Sequence, residues 1–182
     1  MVRKLKYHEE KLLRKTSLLP PPSSSALHTA KIVRRFHLPS QTTYQTYNRL
    51  SGNLRKTANL LSLLPADDAI RLKLEKELLQ KCYEVGLIRE GKRLKEIEDV
   101  GVARFARRRL SERLVVLRMA ESPKDATRFI EQGHVRVGPE TVTDPAFLVS
   151  RNMEDFVTWV DGSKIKRNIE KYKGKVDDFD LL

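Results

Sequence analysis

Ser122-Pro123-Lys124-Asp125-Ala126-Thr127-Arg128-Phe129-Ile130-Glu131-Gln132-Gly133-His134-Val135-Arg136-Val137-Gly138 decides the fold, because its period changes part-way along. The first part opens like a helix. A serine can accept a bond from an exposed amide, proline suits the first helical position, and Asp125 complements the positive end of the dipole. Ala126, Phe129 and Ile130 form one helical face, and Gly133 supplies a left-handed stop. From His134 the period falls to two, which puts Val135 and Val137 on one side of a strand and His134 and Arg136 on the other. Gly138-Pro139 then turns the chain.

Downstream, Thr141 to Thr143, Phe147 to Val149 and Phe156 to Val160 read as short strands separated by Asp144-Pro145 and Arg151-Asn152. Upstream, Leu110, Leu114 and Leu117 mark one face of a preceding helix. Residues 107–162 therefore read as a helix-turn-helix capped by a small, mainly antiparallel sheet. Before them, residues 41–106 are helical in pattern. Tyr47, Leu50, Leu54, Ala58 and Leu61 share one face and Pro65 ends that helix. Asp67 and Asp68 suit the next N-terminus, and Ile70, Leu74, Leu78, Cys82 and Val85 give a second stripe that stops at Gly86. Residues 1–40 read as a basic arm whose Pro20-Pro21-Pro22-Ser23-Ser24-Ser25 resists packing, and residues 163–182 as a charged, solvated tail. The fold class is α+β.

The 182 residues carry 36 Lys and Arg against 24 acids, a formal charge of +12. Such an excess points to a polyanionic partner, nucleic acid first and an anionic membrane surface second. One cysteine cannot form an internal disulfide, and His8, His28, His37 and His134 show no zinc-ligand spacing, so neither structural metal nor cofactor is expected. With no secretory signal and no long apolar run, the expected protein is soluble and intracellular, without a membrane or small-molecule partner. Cys82 belongs to an apolar helix stripe and reads as core. Trp159 alternates with Val157 and reads as the sheet's apolar side. The acids Asp177, Asp178 and Asp180 read as a solvated end. No phosphate loop, dinucleotide loop or nucleophile set is found, so no enzyme activity is expected.

The candidate binding residues lie on three basic surfaces. Lys124, Thr127 and Arg128 surround a helix start, where free amides and cations can hold a phosphate together. His134 and Arg136 extend that surface along the strand. Arg104, Arg107, Arg108, Arg109 and Arg113 form the densest cluster and enter the other helix of the pair. The competing reading of all these side chains is a solvated basic helix face.

Arg109-Leu110, Met119-Ala120-Glu121-Ser122, Gln132-Gly133-His134-Val135-Arg136-Val137-Gly138 and Val142-Thr143-Asp144-Pro145 together resemble the S4 RNA-binding domain. The resemblance implies RNA contacts from Lys124, Arg128, His134 and Arg136. Glu121 and Gly138-Pro139-Glu140 depart from the family's more basic pattern. The N-terminal segment from Met1 to Leu13, together with Phe129 to Pro139 and Ser150 to Asp161, resembles the S4-domain Imp subunits of the U3 small nucleolar ribonucleoprotein, relatives of the ribosomal S4 proteins. That resemblance implies a non-catalytic ribosome-assembly factor of the small-subunit processome in the nucleolus, which helps U3 RNA pair with the 5′ external spacer of pre-rRNA on the way to 18S rRNA. It also implies two protein partners, an M-phase phosphoprotein scaffold and a Brix-domain Imp protein. The alternative is a structural ribosomal protein of the small subunit.

Overall fold

The computed structural model describes residues 3–15, 23–89 and 93–174. Pro20 to Pro22 and the acids Asp177, Asp178 and Asp180 lie outside the described residues. Helices α1 (Tyr7–Lys15), α2 (Ser23–Arg35), α3 (Gln41–Leu63) and α4 (Ala69–Val85) are followed by the short α5 (Lys95–Glu98) and α6 (Val102–Ala106). Then come α7 (Leu110–Val116), α8 (Pro123–Glu131), β1 (Val135–Val137), β2 (Glu140–Thr141), α9 (Arg151–Glu154), β3 (Val157–Trp159) and α10 (Lys164–Tyr172). The architecture is α+β, with helices leading into a small antiparallel sheet.

Two cores result. In the first, Phe36, Tyr47, Ala58, Leu79, Cys82, Ile97 and Phe105 are packed together from α2 to α6. The Tyr47 and Phe105 rings stack with centroids 5.7 Å apart. Cys82 is buried as its place on the stripe requires, and burial pushes its thiol pKa up. Ser40 caps α3 through its side chain, and Asp68 caps α4. The α4 stripe is only partly interior, however. Ile70 and Leu74 are exposed at the hairpin end, whereas Leu79 and Cys82 are buried. The partner helices cover only the C-terminal part of α4, and helical spacing alone does not reveal where that cover stops.

The N-terminal region also differs from expectation. The packed body begins before residue 40: Ile32, Val33, Phe36 and Leu38 join the first core, and Ser23 to Ser25 open α2 rather than extending an unpacked linker. Serine accepts a helix start readily once the preceding prolines have ended. At the other end, residues 164–172 form α10, capped by Ser163 and lying on the protein with Ile165 and Ile169 half-buried. The spacing of those two isoleucines carries an amphipathic helix that the surrounding charge obscures.

In the second core, Leu110, Leu114, Ala126, Ile130, Val135, Val149 and Val157 pack between the α7–α8 pair and the sheet. The strand order is β2-β1-β3, with Arg136 opposite Thr141 on one side and Thr158 on the other. Gly138 has φ +62 in the two-residue β1–β2 connection, so glycine there meets a backbone demand ahead of Pro139. Trp159 packs edge-on against Phe129, centroids 5.8 Å apart, on the apolar side of the sheet. The expected strand at Phe147 to Val149 reduces to an isolated bridge between Leu148 and Arg109.

Candidate RNA-binding interface

Helix α8 begins as its sequence dictates. The Ser122 hydroxyl accepts from Asp125 N at 3.2 Å and lies 2.6 Å from its carboxylate, with Pro123 at the first helical position. Lys124 and Arg128 are exposed on this helix, and Thr127 is half-buried, its hydroxyl donating to the Pro123 carbonyl at 2.8 Å. Arg128 has Asp125 nearby at 3.9 Å, a separation that leaves the guanidinium largely free in water. Gly133 (φ +73) ends the helix and delivers the chain into β1.

On β1, His134 and Arg136 occupy the face away from Val135. The His134 ring is oriented by the Ser163 hydroxyl, 3.1 Å from Nδ1. Arg136 Nε donates to the Thr158 hydroxyl at 3.0 Å, and its Nη1 donates to Asp161 at 2.7 Å. Lys166 of α10 donates to the other oxygen of the same carboxylate at 2.6 Å. The Lys166 hydrogen bond and the Arg136 charge hold the Asp161 carboxyl below its ordinary pKa range. The strand and α10 therefore each present one cation, the two bridged by one carboxylate. Lys166 is the member of this group that sequence reasoning missed, because residues 163–182 read as tail. The only signal for it was the spacing of Ile165 and Ile169.

The arginine cluster divides. Arg108 is buried, donating from Nε and Nη2 to the Val149 carbonyl at 2.9 and 2.5 Å and from Nη1 to Glu154 at 3.1 Å. Arg109 is 2% exposed and donates to the Tyr47 hydroxyl at 3.0 Å. Arg113 also pairs with Glu154. Burial lowers the pKa of both Arg108 and Arg113. These three turn their charge onto partners inside the protein, where the sequence reading places them on an exposed basic surface. The physical reason is that a guanidinium's five donors suit it to satisfying the backbone carbonyls and carboxylates trapped where two cores meet. Arg104 is half-buried and donates to the Leu87 carbonyl at 3.1 Å. Arg107 is exposed, but it lies with α2 and α6 rather than with the α8–β1 surface. The C-terminal end of α8 passes into β1 through the short connection at Gly133, with Lys124 at the opposite end of the helix, and the arginine cluster is not one surface. Among the described residues, no group of three or more His, Cys, Asp or Glu is placed to hold a metal ion, and no helix is long and apolar enough to cross a membrane.

Two family models match this chain: the ribosomal protein S4/S9 N-terminal domain over residues 4–107, and the S4 domain over residues 108–155. The chain is 47% identical over 182 residues, covering all of both chains, to the U3 small nucleolar ribonucleoprotein protein IMP3 of Saccharomyces cerevisiae. It belongs to the IMP3 family. The protein of that name from Homo sapiens is 48% identical over 182 residues, covering all of this chain and 99% of its own. Similarity to the small ribosomal subunit protein uS4 of Sulfurisphaera tokodaii is 30% over 118 residues, 64% of this chain and 65% of the other. The Saccharomyces cerevisiae and Homo sapiens proteins thus match the entire length of this chain, including α1 and α10, while the uS4 similarity covers about two thirds of it.

Proposed function

We propose that this protein is a non-catalytic RNA-binding subunit of a U3 small nucleolar ribonucleoprotein, acting in ribosome assembly in the nucleolus. The single observation that carries this reading is end-to-end similarity to IMP3 proteins, where uS4 similarity stops at about two thirds of the chain. The α8 start and the β1 face are the surface we assign to RNA, with Lys124, Thr127, Arg128, His134, Arg136 and Lys166 as its contacts. Exposed cations near the positive end of a helix suit phosphates, and the neighbouring strand offers donors fixed in position. Arg107 and Arg104 are left for other contacts.

The role follows from charge. Two RNA strands approaching each other repel, and a cationic surface that holds one of them lowers this repulsion without bond chemistry. We assign the paired strands to U3 RNA and the 5′ external spacer of pre-rRNA, leading to cleavages toward 18S rRNA. The protein partners are an M-phase phosphoprotein scaffold and a Brix-domain Imp protein.

The test is filter binding of U3 RNA across a salt series. Lys124→Ala with Arg136→Ala should weaken binding at least tenfold at low salt, and should flatten the log-log salt slope by roughly 0.7 to 0.9 for each phosphate no longer neutralised. Melting should stay near that of the parent. Unchanged affinity and slope in a folded double variant reject this surface.

A further inference from the structure

Along α2, His28, Lys31 and Arg35 recur at three- and four-residue spacing and so share one helix face, with Ile32 beside them. That face meets Gly101, Val102 and Ala103 at the start of α6, and Arg107 just beyond its end, around a cavity of about 350 Å³. Ile32, Phe36, Val102 and Ala103 supply its apolar lining, and His28, Lys31, Arg35 and Arg107 its polar edge. His28, Lys31, Arg35 and Arg107 are all exposed.

No acid is among the described residues lining the cavity, and Glu112 of α7 lies near enough to feel the charges of Arg35, Arg107 and Arg113. It is half-buried, its Oε2 has no hydrogen-bond partner, and desolvation pushes its carboxyl pKa up. One poorly solvated carboxylate does not balance the cations around it, so the edge keeps a positive surplus. The apolar lining argues against RNA as the occupant. Nucleic acid grips such surfaces by stacking bases on exposed aromatic faces. Here the aromatic ring is Phe36, 2% exposed, with the Arg35 guanidinium 5.6 Å from its centroid.

We propose that the groove between α2 and α6 binds an acidic segment of a partner protein, which inserts one or two aliphatic or aromatic side chains between Ile32 and Ala103 while its carboxylates meet His28, Lys31, Arg35 and Arg107. The size suits this occupant, because cavities of some 300 to 1,000 Å³ bury most of a drug-sized ligand, and one or two side chains are no larger. Charge complementarity selects acidic over basic segments and steers the encounter. The apolar lining separates a segment with inserted side chains from a merely acidic chain. The groove uses none of the residues assigned above to RNA.

The experiment uses the full chain and an array of 12-residue peptides with an acidic background and two varied apolar positions, with an all-glutamate peptide and a uridine 15-mer as comparators. A subset of the array should bind at least tenfold more tightly than the all-glutamate peptide. His28→Glu with Lys31→Glu should weaken that binding tenfold or more, as should Ala103→Phe, which fills the cavity. The charge-reversed variant keeps the core intact because both positions are exposed, and unchanged melting controls for folding. Its affinity for U3 RNA should remain within about twofold of the parent, whatever the outcome for the α8–β1 surface. The proposal is overturned if no array member exceeds the all-glutamate peptide, if the charge-reversed variant binds as the parent does, or if the uridine 15-mer displaces the peptide and crosslinks to Lys31.

Discussion

Gly86 shows how one residue joins the two cores. It ends α4 with φ +83, and a Cβ built on it would lie 2.8 Å from the Arg108 guanidinium carbon. That approach cannot be relieved cheaply, because Arg108 is fixed by two bonds to the Val149 carbonyl and one to Glu154. Gly86→Ala should therefore cost about 2 kcal/mol or more, combining left-handed strain with displacement of a buried cation. Urea denaturation checks this: a fall in stability under about 0.5 kcal/mol would mean that Arg108 moves freely. The sequence displayed Gly86 as a helix stop, but not its approach to Arg108. Arg108 itself read as part of a basic surface, because charge density in a sequence does not say which guanidinium is enclosed.

At the scale of elements, α8 was the most legible. Serine, proline and aspartate stand at its start and glycine at its end, all within one local stretch. The β1 face was legible for the same reason, since period two is a local property. Helix α10 was not. Its lysines dominate the composition, and what places it is Ser163, whose hydroxyl both accepts from Ile165 N and lies beside His134, a contact across 29 positions. This arrangement makes Asp161 a restraint on the surface assigned to RNA, because it ties up Arg136 and Lys166 at once. Asp161→Asn should free both cations. We expect RNA affinity to rise several-fold at low salt and the salt slope to steepen by up to about one counterion per cation released. Filter binding at matched pH measures it. Weaker binding would show instead that the carboxylate sets the side-chain geometry RNA requires.

Over the whole molecule, the helical and sheet-bearing halves are tied by side chains from distant parts of the chain. Arg109 reaches Tyr47, whose ring stacks on Phe105. Arg151 donates to the carbonyls of Tyr83, Ile88 and Arg89 while its guanidinium lies 4.3 Å from the centroid of the Tyr83 ring. Long-range ties of this kind leave no trace in local periodicity, so the two cores could be anticipated but their union could not. Thermal unfolding should give one transition by far-ultraviolet circular dichroism and by Trp159 fluorescence, since Trp159 reports on the second core and most helix on the first. Arg151→Ala should separate the two probes; coincident curves in that variant would mean the remaining ties suffice.

The Arg151 tie has one more consequence. A guanidinium anchored to three carbonyls of the helical half leaves little play between the halves, so the α2–α6 groove and the α8–β1 surface stay at a set spacing and orientation. The molecule then acts as a gauge, and an assembly that engages both sites must adapt its own dimensions to that interval.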